Sequence, residues 1–160
     1  MPLNDDSAPT LDEQAGHCFA CGPANPQGLH LHFDRSPNPE TGHPTVIATV
    51  HLTRLHEGPP GHIHGGILAT LFDEAMSKLN RPLDTLAMTR HMEVDYLRPA
   101  PLHQNLTLTA THERREGRKL FHVAQLHNAE GTLLAQAKGL FIAIHPSLIP
   151  THLNPEKAGH

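Results

Sequence analysis

The sequence predicts an α+β fold: a curved, mainly antiparallel sheet of about six strands wrapped around one long central helix. Three observations carry this. A single stretch, Gly65 to Leu79, places its apolar residues at helical spacing. The segments after it alternate apolar and polar residues in the manner of strands, most clearly in Leu106-Thr107-Leu108-Thr109-Ala110-Thr111. The connections between those segments, such as Arg115-Glu116-Gly117-Arg118 and Asn128-Ala129-Glu130-Gly131, are short and contain glycine, which suits hairpins. One apolar helical face then needs one apolar sheet face to cover it.

Taken in order, residues 1–16 are polar and aperiodic and are expected to form a flexible N-terminal arm. The folded domain is expected over 17–145, followed by a flexible C-terminal tail, 146–160, that contains three prolines. Leu29 to Phe33 and Thr45 to Leu52 read as strands on either side of the turn-rich Ser36-Pro37-Asn38-Pro39-Glu40-Thr41-Gly42, and pair as a long-looped hairpin. After the loop Gly58-Pro59-Pro60-Gly61 comes the helix. Ile67, Leu68, Leu71, Phe72, Ala75, Met76 and Leu79 share one broad face of it, with Thr70, Asp73 and Ser77 opposite. Arg81-Pro82 ends it, because proline excludes the helical conformation from the residue before it. Four strands follow: Leu86 to Leu97, Asn105 to Glu113, Lys119 to His127 and Thr132 to Ile144.

A chain of 160 residues, 38% hydrophobic, suits one domain with a sizeable core. A net charge of −4 gives no electrostatic basis for wrapping nucleic acid. No apolar run approaches the length of a membrane span, and Met1-Pro2-Leu3-Asn4-Asp5-Asp6 lacks the pattern of a secretory signal, so a soluble, cytoplasmic protein is expected. The sixteen histidines are scattered from His17 to His160; those at alternate positions, as in His30-Leu31-His32, suit an exposed strand face. Cys18 and Cys21 form a single Cys-x-x-Cys beside His17, which is half of a zinc site or a redox pair. No second Cys-x-x-Cys or His-x-x-x-His follows to complete four ligands, so neither a metal nor a cofactor is assigned.

The segment His64-Gly65-Gly66-Ile67-Leu68-Ala69-Thr70-Leu71-Phe72-Asp73-Glu74-Ala75 carries the chemistry. Exposed N–H groups at a helix N-terminus can hold the oxyanion of a tetrahedral intermediate on an acyl carbon. A carboxylate can activate water or attack the carbon itself. Gly65 and Asp73 are eight residues apart, a helical rise of about 12 Å, so one carbonyl cannot touch both. If both act on one carbon, the glycine of one subunit meets the aspartate of another and the protein is an obligate dimer. Glu74 adjoins Asp73, but a 100° step around the helix lets only one of them face the site, and Asp73 is chosen.

Several segments in this order resemble the phenylacetate-pathway (PaaI) type of hotdog-fold acyl-CoA thioesterase. They are His17-Cys18-Phe19-Ala20-Cys21-Gly22-Pro23, Pro60-Gly61-His62-Ile63-His64-Gly65-Gly66, Leu71-Phe72-Asp73-Glu74-Ala75, and Thr89 followed by Val94-Asp95-Tyr96-Leu97-Arg98-Pro99, together spanning roughly residues 17 to 144. By this resemblance Asp73 is the catalytic carboxylate, Gly65 the oxyanion-binding amide, and His64 orients the loop or the thioester. Thr89 matches a hydroxyl residue that in some members assists the water from the second subunit; alternation places it on a strand face with His91 and Glu93. His56 and Gly66 match positions near the substrate.

The resemblance implies hydrolysis of an acyl-CoA thioester, by a general-base or an anhydride route, in a homodimer or a dimer of dimers. Arg98, Arg114, Arg115, Arg118 and Lys119 are the cations available to the CoA phosphates, with Arg98, Arg114 and Arg118 taken as the contacts. Two other readings use the same groove: a non-catalytic acyl-CoA-binding protein, and a hydratase, which the six residues between Gly66 and Asp73 fit less well.

Overall fold

The computed structural model describes residues 16–145 and 147. Apart from Gly16 and Ser147, the expected arm and tail lie outside the described residues. Leu31–His145 forms one compact unit, and the described residues 16–30 and 147 belong to a second.

The larger unit contains β1 (Asp34–Pro37), β2 (Pro44–His51), a 3-10 turn (Arg54–His56), α1 (Gly65–Ser77), β3 (Ala87–Tyr96), β4 (Asn105–Glu116), β5 (Lys119–His127) and β6 (Leu133–Ala143). The strands form one sheet in the order β1-β2-β4-β5-β6-β3, every neighbouring pair antiparallel. Among the described residues this is the expected α+β architecture of six strands and a single α-helix.

The first strand differs from expectation. Residues 29–33 are not a strand; instead Asp34–Pro37 pairs with Pro44–Ile47. His30 sits at φ 51, a left-handed conformation that interrupts an extended run. Ser36 and Pro37, read as turn, belong to β1, because Asn38 makes the turn itself. Its N–H donates to His43 C=O (2.7 Å), and its Oδ1 accepts from the N–H groups of Glu40 (2.9 Å) and Thr41 (3.2 Å). Proline is tolerated here because β1 is an edge strand.

The helix is two residues shorter than expected, with turns from Lys78 to Asp84, but Leu79 remains fully buried. Leu68, Leu71, Phe72, Ala75 and Met76 are its buried residues. Alternate residues of the sheet are buried with them: Val46, Ala48 and Val50; Leu106, Leu108 and Ala110; Leu120, Ala124 and Leu126; Ala135, Ala137 and Phe141. Burying a side chain such as Phe72 contributes about 1.5–3 kcal/mol, and this shared interior fixes the face α1 presents outward.

Irregularities interrupt the alternation on β3 and β4, and a third, between β5 and β6, sets Leu126 opposite Ala135 and His127 opposite Leu133. On β3, Thr89 pairs with Phe141 and His91 with Leu140, so Arg90 is the extra residue. On β4, His112 pairs with His122 and Arg114 with Phe121, so Glu113 is extra. The second bulge leaves His112 facing the interior, where it meets the fully buried His122. His122 Nε2–H donates to Asn80 Oδ1 (2.8 Å), so its Nδ1 accepts from His112 Nδ1–H (3.1 Å). His43 Nδ1–H donates to His112 C=O (2.9 Å). Burial, and then the neighbouring His112, hold the His122 imidazole far below its ordinary range, at about 3. His112 is lowered too, by burial first and then by His43 and Arg115, with Glu113 opposing.

Candidate active site

The helix starts from a loop closed on itself. Gly58 N–H donates to His62 C=O (2.9 Å), His62 N–H to Pro59 C=O (2.9 Å) and His64 N–H to His56 C=O (2.9 Å). Glu57 Oε1 accepts from Gly61 N–H (2.7 Å), and Ile63 N–H donates to Ala100 C=O (2.8 Å). A Cβ on residue 58 would lie 2.7 Å from His64 Cα, so only glycine lets the two backbone segments approach this closely.

His64 is the N-cap of α1. Its Nδ1 accepts from Gly66 N–H (2.9 Å), which fixes the neutral ring with its proton on Nε2. Its C=O accepts from Ile67 N–H (2.9 Å) and Leu68 N–H (3.1 Å). Of the four N–H groups that the helix start leaves without i→i−4 partners, those of His64 to Ile67, three are occupied, that of His64 by His56 C=O. Among the described residues no acceptor is found for the fourth, Gly65 N–H. Tyr96, on β3, donates its hydroxyl to Gly65 C=O (3.1 Å), tying the first turn to the sheet. Gly65 N–H is therefore a donor at the positive end of the helix dipole, held from both sides.

Two turns on, the half-buried Asp73 accepts a hydrogen bond of 2.6 Å from Thr89 Oγ1 to its Oδ1. Glu74 points elsewhere and pairs with Lys78 (3.0 Å). Thr89 thus faces the carboxylate of its own chain. The expectation that it shares a strand face with His91 and Glu93 fails, because the bulge at Arg90 turns Thr89 toward the side of the buried Phe141.

The remaining candidates are placed as follows. His56 is half-buried, its Nδ1 accepts from Thr53 N–H (3.1 Å), and its C=O holds the His64 amide, which puts it one hydrogen bond from the N-cap. Arg98 Nη1 donates to Leu133 C=O (3.0 Å) and Arg118 Nε to Ala143 C=O (3.0 Å). Arg114 is bound by Glu116 (2.8 Å) and Glu113 (2.9 Å) and lies 3.7 Å over the Phe121 ring. Its hydrogen bond to Glu116 is the main cause that raises its pKa. The structure therefore joins His56, His64, Gly65 and Gly66 in one loop and helix start, and Asp73 with Thr89 in a second cluster. It commits Arg114 to two carboxylates. Sequence reasoning missed the Tyr96 link to Gly65 and the Glu57 clasp. Only the presence of Tyr96 on one strand face with Val94 signalled the first.

No helix among the described residues is long and apolar enough to cross a membrane.

Residues 60–135 match the Thioesterase superfamily. Acyl-coenzyme A thioesterase THEM4 of Bos taurus is 34% identical over 91 residues, which cover 56% of this chain and 37% of the bovine protein. Acyl-coenzyme A thioesterase 13 of Homo sapiens is 32% identical over 97 residues, covering 58% of this chain and 69% of the human protein. A thioesterase superfamily protein of known crystal structure is 31% identical with a TM-score of 0.71, covering 79% of this chain and 63% of that one. The chain thus spans about two fifths of the length of the THEM4 relatives it matches.

Proposed function

The chain belongs to the thioesterase superfamily, the hotdog family that its sequence resembles, and from that premise we propose that it hydrolyses acyl-CoA thioesters to a free acid and CoA. The observation that carries this reading is the half-buried Asp73 carboxylate, oriented by the Thr89 hydroxyl at 2.6 Å on the helical face turned away from the core. A carboxylate held by one oxygen keeps the other for chemistry. As general base it takes a proton from water as the water oxygen attacks the acyl carbon; as nucleophile it forms an anhydride that water then opens. In both routes the carbon–sulfur bond breaks, and the CoA thiolate leaves and is protonated.

The unoccupied Gly65 N–H is the donor for the developing oxyanion. Eight residues of helix put it about 12 Å along the axis from Asp73, so the amide that serves Asp73 comes from a second copy of the chain. The sheet favours such a partner. Among the described residues β3 has β6 on one side and no strand on the other, and Leu86, Met88, Tyr96 and Leu97, within or beside it, are 46%, 64%, 54% and 49% exposed. The assembly is a homodimer, or a dimer of such dimers. His64 fixes the loop, with His56 and Gly66 beside it near the substrate. Arg98 and Arg118, each with further N–H donors, meet the CoA phosphates in preference to Arg114, whose charge is already balanced. Cys18 and Cys21, which form no disulfide, suit a cytoplasmic setting.

The test follows free thiol released from a panel of short, long and aromatic acyl-CoAs, with wild type beside Asp73→Asn. The expected result is turnover on at least one of them and a loss of about 10²-fold or more in the variant. Equal slow release by both proteins would reject the catalytic role, and tight binding without turnover would identify an acyl-CoA-binding protein instead. Full turnover by a stable monomer would reject the shared site. Single turnover in oxygen-18 water separates the two routes, since only the anhydride route leaves label in Asp73.

A further inference from the structure

The Cys-x-x-Cys segment takes no part in the proposed hydrolysis. Cys18 and Cys21 form no disulfide, and their sulfur atoms lie within 4.8 Å of one another. What brings them together is a tight reversal of the backbone. Gly22 N–H donates to Cys18 C=O (2.8 Å) and Ala24 N–H to Gly16 C=O (2.9 Å), so the chain folds back around Cys18 immediately after Cys21. A Cβ on residue 22 would sit 2.3 Å from Gly16 O, 2.4 Å from Cys18 N and 2.7 Å from Cys18 O. No other residue fits, so the reversal depends on the Cys-x-x-Cys-Gly sequence as a whole.

The surrounding segment is built in the same way. Leu29 N–H donates to Phe19 C=O (2.8 Å), Gly28 N–H to Asn25 C=O (3.1 Å), and the Asn25 side-chain amide to His17 C=O (3.3 Å). From Gly16 to Leu29 there are turns but neither helix nor strand. Short segments without regular structure are commonly fixed by a cross-link, either a disulfide or a metal. The turn here is not the start of a helix, the setting that tunes a redox Cys-x-x-Cys. Two cysteines three positions apart on a closed backbone knuckle are instead the usual half of a tetrahedral thiolate site.

We propose that Cys18 and Cys21 form a two-thiolate chelate for a thiophilic divalent cation, zinc being the natural occupant. Binding replaces two S–H bonds by two metal–sulfur bonds and releases two protons, with no change of oxidation state. The proposal does not rest on the hydrolysis proposed for Asp73, and its test does not depend on turnover.

The experiment uses the full chain, reduced with a non-thiol reductant and freed of metal, titrated with zinc and separately with cobalt(II). Sixteen histidines make weak adventitious binding certain, so the decisive signal is the thiolate-to-cobalt charge-transfer band in the near ultraviolet, which imidazole does not produce. One equivalent of cobalt per chain is expected to generate the band and one equivalent of zinc to abolish it, with Cys18→Ser/Cys21→Ser showing neither effect. In unmodified protein, zinc is also expected to slow alkylation of both thiols at least tenfold, a readout that stands even if the double variant fails to fold. Metal uptake without the band, a band that survives in the double variant, or alkylation indifferent to zinc overturns the proposal. Ready conversion to a Cys18–Cys21 disulfide with no stoichiometric metal uptake overturns it in favour of a redox pair.

Discussion

Replacing His122 by glutamine tests how the buried imidazoles govern acid stability. His122 is 1% exposed, and burial, followed by His112, lowers its pKa to about 3 from the ordinary 6.5. Between those values the unfolded chain carries a proton on this ring and the folded chain does not. Stability therefore falls as pH falls, by up to about 1.4 kcal/mol for each pH unit and a single proton. From pH 6.5 to 4.5 the contribution amounts to a loss of roughly 2 kcal/mol, absent above neutrality and complete near pH 3. His112, whose pKa is lowered as well, adds to the slope in both proteins. The variant loses the hydrogen bonds to Asn80 and His112, so it starts lower at pH 7.5, by about 1–3 kcal/mol. Urea unfolding followed by circular dichroism at pH 7.5, 6.5, 5.5 and 4.5 is expected to show the two stabilities converging by roughly 2 kcal/mol toward acid. A separation that stays constant across that range would show that His122 is protonated in the native state and refute the reasoning.

Two further outcomes follow from the site. Thr89→Val removes a hydrogen bond to a carboxylate, worth about 1.5 kcal/mol or more, and is expected to lower kcat about tenfold with little change in KM; an unchanged kcat would mean that the hydroxyl does not orient Asp73. His64→Ala removes the N-cap acceptor and is expected to cost about 1 kcal/mol in urea unfolding and to lower kcat, because Gly66 N–H then competes for the oxyanion. Unaltered stability would refute the capping role.

The helix and the last four strands were legible because each rests on local periodicity that its burial then obeys: Leu68, Leu71, Phe72, Ala75 and Met76 are both the apolar stripe and the buried face. The error in the first strand came from features that composition does not encode. His30 at φ 51 and an asparagine that closes a turn with its side chain shifted the pairing past two prolines. At the site, the His64 cap and the free Gly65 amide follow from residue type at a helix start. The facing of Thr89 does not, since the strand rule of two is valid only while the register is unbroken. Arg114 was legible as a cation but not as one already balanced by Glu113 and Glu116, because partner choice across a bulged hairpin depends on three-dimensional placement.

The extra residue at Arg90 has a consequence for comparing relatives. A one-residue gap is ordinarily neutral in a loop and merely awkward in a strand. On β3 the bulge decides which way half the strand looks: with Arg90 bulged out, Thr89 and His91 act as neighbours on opposite faces, so excising Arg90 would keep both facings, whereas drawing Arg90 into the ladder would turn either Thr89 from Asp73 or His91, Glu93 and Asp95 into the apolar interior. Homologues one residue shorter at this point thus keep the hydroxyl–carboxylate pairing on a plain strand, whereas those of equal length keep it only with the bulge, however well the His-Gly-Gly and Asp73 segments align.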